Sequence, residues 1–166
     1  MNPEILKLSF EGVQTAAIVG GAIWAVWRFQ RERVDAPQIE FSVDAKLHGP
    51  SDGQYVSEYI LTFRNKGKIR VETRRIELRV LGIKAGEQLR EWREHGNRLE
   101  FREKLVDDKY VIPKAYRHVF FEPGITQEYV YVGRISADYR FILIRGLFYY
   151  DKGNPHSAER VVGIGF

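Results

Sequence analysis

Between Glu11 and Arg28 the chain runs from Gly12 to Trp27 without a charge. A helix needs about 20 mostly apolar residues to cross a hydrocarbon core of roughly 30 Å. Ser9–Phe29 supplies that span if Glu11 lies at headgroup level. The expectation is therefore one transmembrane helix over residues 9–29. A cleaved signal peptide fits less well, because it needs a basic leader and a small-residue cleavage site. Here the leader holds Glu4, Lys7 and Glu11, and the run ends in Trp24, Ala25, Val26 and Trp27. A buried helix of a globular core also fits less well, because the run is apolar on every face.

The flanks refine this expectation. Trp24 and Trp27, with Arg28, Arg31 and Arg33, form an aromatic and basic exit suited to a membrane interface. Gly12, Ala16 and Gly20 lie on one helical stripe, and Ala17, Gly21 and Ala25 on the next. Small residues at that period let two helices approach closely, so these six are candidate helix-pairing residues. Residues 1–8 form a short tail and residues 30–37 a basic connector, closed by Pro37, which disfavours helix at Ala36. Positive charge is denser after the run than before it. This places the following domain in the cytoplasm at the inner membrane; the opposite bias would give a periplasmic head.

Residues 38–166 carry a different signal. Ile39, Phe41, Val43, Ala45 and Leu47 alternate with Glu40, Ser42, Asp44 and Lys46, the period of a half-buried strand. Alternation returns over Tyr55–Phe63, Ile76–Val80 and Tyr129–Val132, and further strands are expected over Ile135–Tyr150 and Arg160–Phe166. Nine Tyr and ten Phe suit pleated surfaces. Turn chemistry separates the runs at His48–Gly53, at Asn65–Lys68, where a hairpin-like turn with positive φ is expected, and at Glu122–Thr126. A change of register phase predicts a break near Thr73 and Arg74. Residues 84–98 are charge-rich and read as a short helix or an excursion loop.

Several short strands with regular turns predict an antiparallel β-sandwich. Leu61–Lys68 followed by Ile76–Val80 resembles the strand, Asn-x-Gly, strand signature of bacterial immunoglobulin-like domains, and Pro123–Thr126 resembles their Pro-Gly-x-Thr turn. Tyr139 resembles a tyrosine corner, whose phenol bonds nearby backbone. With the expected anchor, the chain resembles small bacterial single-pass membrane proteins bearing an immunoglobulin-like β-sandwich domain. That resemblance implies a fold and assigns no catalytic residue.

Catalytic and metal-binding patterns are sparse. No cysteine is present, which excludes disulfides, thiolate metal sites and a cysteine nucleophile. His48, His95, His118 and His156 show no metal-ligand spacing, and neither a phosphate-binding glycine loop nor a nucleophile elbow occurs. The reading is a non-enzyme without cofactor or metal. A net charge of +4, spread along the chain, does not call for nucleic acid. Arg64, Lys66, Lys68, Arg70, Arg74 and Arg75 concentrate charge around the Asn65–Gly67 turn and are candidate anion-binding residues. The expected function is a membrane-anchored module that binds the bilayer and a protein partner or its own copies. The alternatives are an oligomerising membrane effector, for example of a defence system, and an anion or nucleotide sensor working through residues 64–75.

Overall fold

In a computed structural model, the described residues are 3–31, 37–92, 96, 98–112, 116, 118–150 and 155–165, with backbone alone for 3–11, 30, 31, 108 and 109. The chain divides into two units, Met1–Ala36 and Pro37–Phe166. The first holds one helix, α1 (Pro3–Arg31). Among the described residues no helix is long and apolar enough to cross a membrane. This overturns the expected transmembrane helix over residues 9–29, and with it the single-pass placement at the inner membrane and the orientation of the head. The physical reason is that an uncharged run is not yet an apolar one. Gly12, Gly20 and Gly21 offer almost no side-chain surface, and Gln14 and Thr15 are polar. Trp24 and Trp27 each carry an N–H, and Arg28 brings a charge into the last turn. Only the aliphatic residues between them favour hydrocarbon strongly.

The second unit is built from antiparallel strands. The long ones are β1 (Ile39–Ser51), β2 (Gln54–Asn65), β4 (Arg75–Lys84), β7 (Glu103–Tyr110), β9 (Thr126–Ser136), β10 (Tyr139–Tyr149) and β11 (His156–Gly163). Short ones are β3 (Val71–Thr73), β5 (Glu91–Trp92), β6 (Arg98–Leu99) and β8 (Val119–Phe121). One sheet has the order β1-β2-β9 and the other β11-β10-β4-β7; β3 pairs with β8 and β5 with β6. Asp52 and Gly53, both with positive φ, close the β1–β2 hairpin, where Ser51 faces Gln54.

Period-two alternation sends one face of each sheet inward. Val43, Tyr59, Leu61 and Phe63 from the first sheet share one core with Ile76, Leu78, Val80, Ile142, Ile144 and Phe148 from the second. Phe63 stacks between Phe41, at 4.5 Å, and Phe121, at 4.8 Å, with Phe148 edge-on at 5.6 Å. Such stacked and edge-to-face pairs add to the area term of aromatic burial.

Three local expectations change. The chain does not make a hairpin at Asn65–Lys68, and neither Asn65 nor Gly67 has positive φ. Instead β2 ends there, and the chain leaves for β3 and then β4 in the other sheet. The Gly67 N–H donates to Asn65 Oδ1 at 2.9 Å, an Asx turn that needs no left-handed residue. The charge-rich excursion forms the β5–β6 hairpin rather than a helix. The break near Thr73 falls at Arg74, between β3 and β4. There Thr73 Oγ1 donates to the Tyr149 carbonyl at 2.7 Å and accepts from the Arg75 N–H at 3.2 Å.

Tyr139 is the third change. Its phenol donates to the carboxylate of Glu103 on β7, rather than to nearby backbone, and Lys84 bonds the same carboxylate at 3.1 Å. Gly82 makes room for the ring, since a Cβ there would lie 2.6 Å from Tyr139 Cδ1. Burial and the adjacent Glu103 push the Tyr139 phenol up to about 12. Hydrogen bonds from Tyr139 and Lys84 hold the Glu103 carboxyl below its ordinary value. A raised phenol pKa gives stability that is complete below the unfolded value of about 10 and fades as pH climbs through the folded value. A lowered carboxyl pKa gives stability present above its unfolded value of about 4.3 and lost as pH falls through the folded one. Tyr139→Phe is therefore expected to remove one phenol that ionises at about 12 from a spectrophotometric titration and to flatten the alkaline loss of stability between about 10 and 12. An unchanged titration curve would show that the Tyr139 phenol is not raised by its burial and Glu103.

Candidate interaction site

The six cations singled out around the Asn65 turn do not act as one group. Lys66 pairs with Glu40 at 2.8 Å, and Arg70 pairs with Glu122 at 2.9 Å while lying 3.5 Å over the Phe120 ring. Arg75 bonds the buried Glu77 carboxylate through Nε and Nη2 and sits 4.6 Å from the Tyr149 ring. The Tyr149 hydroxyl donates to the other Glu77 oxygen at 3.0 Å. Half of the basic segment is thus neutralised within the fold. Arg64, Lys68 and Arg74 are exposed and have no ion pair among the described residues. They lie at the end of β2, in the following turn and at the β3–β4 break.

What organises this corner is the neutral side chain between them. Asn65 is fully buried, and its amide donates to the carbonyls of Ile69 and Phe121, each at 2.8 Å. Its backbone accepts from the Gly124 N–H at 2.8 Å and donates to the Ile125 carbonyl at 3.2 Å. Asn65 thereby joins the end of β2 to the turn at Glu122–Ile125. In that turn Gly124 takes the positive φ of 75° that follows a proline in a type II turn.

On α1, the proposed pairing residues Gly12, Ala16, Ala17, Gly20, Gly21 and Ala25 are exposed, and a Cβ on any of the three glycines would meet nothing within 4 Å. Trp24 and Trp27 are also exposed, and the Arg28 guanidinium lies 5.2 Å over the Trp24 ring. Arg31 closes the helix, and Arg33 lies outside the described residues.

Strand β9, which the sequence did not single out, presents the clearest surface. It pairs with β2 in unbroken register from Arg64↔Thr126 to Gln54↔Ser136, and no described strand pairs with its other side. Free edges normally carry charges, prolines or bulges that block pairing with another chain. Strand β7 has them: Lys104 and Asp107 lie on it, and its register with β4 shifts twice. Strand β1 carries Lys46, Asp44 and Gly49–Pro50. Between Glu128 and Arg134, β9 has neither charge, proline nor bulge. Its outer face shows Val130 and Val132, 51% and 62% exposed. Its inner face shows Tyr129, edge-on to Phe63, and Tyr131, tilted against Tyr59. Alternating apolar residues around Tyr131 were legible in the sequence; that nothing covers the edge was not.

No protein-family model matches the chain, and no curated protein matches it. Among solved structures it is similar to a protein designated ApaA from Bordetella pertussis, with 19% identity over 77% of this chain and 94% of that one, at a TM-score of 0.45. It is also similar to Spo0M, a sporulation control protein from Bacillus subtilis, with 12% identity over 75% of this chain and a TM-score of 0.46. The match spans about half, 49%, of the Spo0M chain. A third similar structure, the target SoR45, shares 11% identity over 76% of this chain and 86% of its own, at a TM-score of 0.43. Likenesses of this degree assign no activity.

Proposed function

We propose that the protein is a non-catalytic interaction module of immunoglobulin type that assembles with its own copies through the free edge of β9. The strand order supports the domain type. Immunoglobulin-type sandwiches oppose strands A, B and E to strands C, F and G, with C′ added beside C in variable-type domains. Here β1-β2-β9 faces β11-β10-β4-β7 in corresponding positions.

The observation that carries the assembly is the self-complementarity of β9. Laid antiparallel against a second copy and centred on Tyr131, the strand sets Glu128 opposite Arg134, Val130 opposite Val132 and Tyr129 opposite Gly133. Glu128, Val130, Val132 and Arg134 share the outer face, because successive side chains alternate. Opposite charges and apolar pairs directly across a strand pair each contribute about 0.2–1 kcal/mol, and an aromatic ring covers a bare glycine well. The product is a continuous six-stranded sheet in which both edges of β9 are paired.

Charge exchange tests the register. Glu128→Arg or Arg134→Glu alone puts like charges opposite each other twice per dimer. Each is expected to weaken dimerisation about tenfold, roughly 1.4 kcal/mol. Combining the two restores it. Sedimentation velocity over a concentration series at low salt reads all four proteins. A chain that stays monomeric throughout, or a double variant no better than the singles, would sink the proposal.

A further inference from the structure

The excursion between β4 and β7 builds a second layer on the outer face of the four-stranded sheet. Glu91 faces Leu99 and Trp92 faces Arg98 in the β5–β6 hairpin, and the Glu100 N–H donates to the Arg90 carbonyl at 2.8 Å to close its base. Between this hairpin and the sheet lies a cleft of about 530 Å³. That is within the range of small-molecule sites, roughly 300–1,000 Å³.

Strand register composes its floor. Val161 faces Leu143, which faces Leu81, giving an aliphatic row across three strands. In the next outward row Glu159 faces Arg145, which faces Arg79. Trp92, Leu99 and Phe101 line the cleft from the excursion, so an apolar body can lie between aliphatic and aromatic walls. The remaining lining residues are cations: Arg98, Arg102 and Lys104.

The charge is only partly compensated. Arg145 pairs with Glu159 at 2.6 Å, Arg102 with Glu100 at 2.8 Å, and Asp107 serves both Lys104 at 3.1 Å and Arg79 at 3.9 Å. Among the described residues these five cations meet the carboxylates of Glu159, Glu100 and Asp107, and Arg98 has no carboxylate partner there. Apolar walls lower the local dielectric and strengthen attraction for an anion held against them. An all-apolar ligand would leave Arg98 uncompensated, and a bare anion would leave the Phe101 surface wet.

We infer that this cleft binds a small molecule that joins a flat aromatic ring to one anionic group, the chemistry shared by aryl carboxylates and nucleoside monophosphates. The ring inserts between Trp92 or Phe101 and the Leu81–Leu143–Val161 row, and the anion meets Arg98 and Arg102 at the rim. This site is separate from the β9 edge, and either can fail without the other.

Calorimetric titration of the full chain with 2-naphthoate, adenosine monophosphate and inorganic phosphate tests it. The expected result is one site per chain for 2-naphthoate, adenosine monophosphate or both, at least tenfold tighter than inorganic phosphate; the tighter of the two identifies the anionic group preferred. Arg98→Glu, at an exposed rim position, and Trp92→Ala each lower that affinity at least tenfold. Lys68→Glu, in the basic turn after β2, leaves it unchanged. The inference is overturned if both aromatic anions bind no better than phosphate. It is equally overturned if the Arg98 and Trp92 variants retain affinity, or if Lys68→Glu weakens binding and Arg98→Glu does not.

Discussion

Asn65→Asp is expected to destabilise the β-sandwich by about 3–5 kcal/mol and to lower its melting temperature by about 10–20 °C. The substitution is isosteric, so packing is kept and only hydrogen-bond polarity changes. The Asn65 amide donates to two carbonyls, those of Ile69 and Phe121, and its carbonyl accepts from the Gly67 N–H. An ionised aspartate still accepts from Gly67 but has no proton for either carbonyl. Two acceptors are then left facing a buried negative charge, and each buried polar group without a partner costs about 1–3 kcal/mol. Burial also raises the pKa of the new carboxyl, because the charged form is the one desolvated. With a folded pKa above the unfolded value of about 3.9, the variant is least stable at high pH. It recovers part of the loss as pH falls and the protonated acid donates one bond. Asn65→Ala loses all three bonds and shows no such recovery. Thermal melts of both variants from neutral to acid pH separate the two cases. Equal pH dependence of Asp and Ala at this position would show that the donor bonds do not hold this corner.

Gly146→Ala is expected to be the most damaging single-methyl addition in the core. Residue 146 lies on the inward face of β10, and a Cβ there would stand 2.5 Å from Phe41 Cζ and 2.7 Å from Val43 Cγ1 on the facing sheet. Phe41 cannot retreat readily, because its ring is stacked at 4.5 Å on Phe63. Overpacking of this kind costs typically 1–3 kcal/mol, so a loss of about 3 kcal/mol is expected with both neighbours fixed. Coupling identifies the cause. Phe41→Leu alone destabilises, yet added to Gly146→Ala it vacates the space the methyl needs. The double variant is therefore expected to be more stable than the sum of the two losses predicts. Chemical denaturation of the four proteins completes the cycle. Strict additivity would mean that the clash with Phe41 is not what the methyl meets.

How much of this was legible in the sequence depends on the range over which each feature is decided. Alternation along β1, β2 and β4 follows from local pleating and was visible residue by residue. So was the Pro123–Gly124 turn, whose φ values are dictated by the two residues themselves. The Asn65–Gly67 segment was recognisable as a turn but not as a crossing between sheets, because that depends on Asn65 reaching Phe121, 56 positions away. Tyr139 was legible as a special tyrosine, while its partner Glu103 is brought to it by the pairing of β4 with both β10 and β7. The cleft escaped for the same reason: Leu81, Leu143 and Val161 form a row only once register aligns three strands distant in the chain.

By itself the sequence determined a mainly β, antiparallel head with an aromatic core, no thiol chemistry and a helix before it. Those properties follow from side-chain period, composition and local backbone preference, which act between near neighbours. The uncharged run beside Arg28 determined a helix but not a membrane span. Lack of charge removes one cost of entering hydrocarbon, whereas glycine, glutamine and threonine supply little of the gain. Only the tertiary structure decided which strands share a sheet, which cations are already paired, and which edge is left open. Those outcomes depend on contacts between residues far apart in the chain, where register and burial, rather than local propensity, set the lowest free energy.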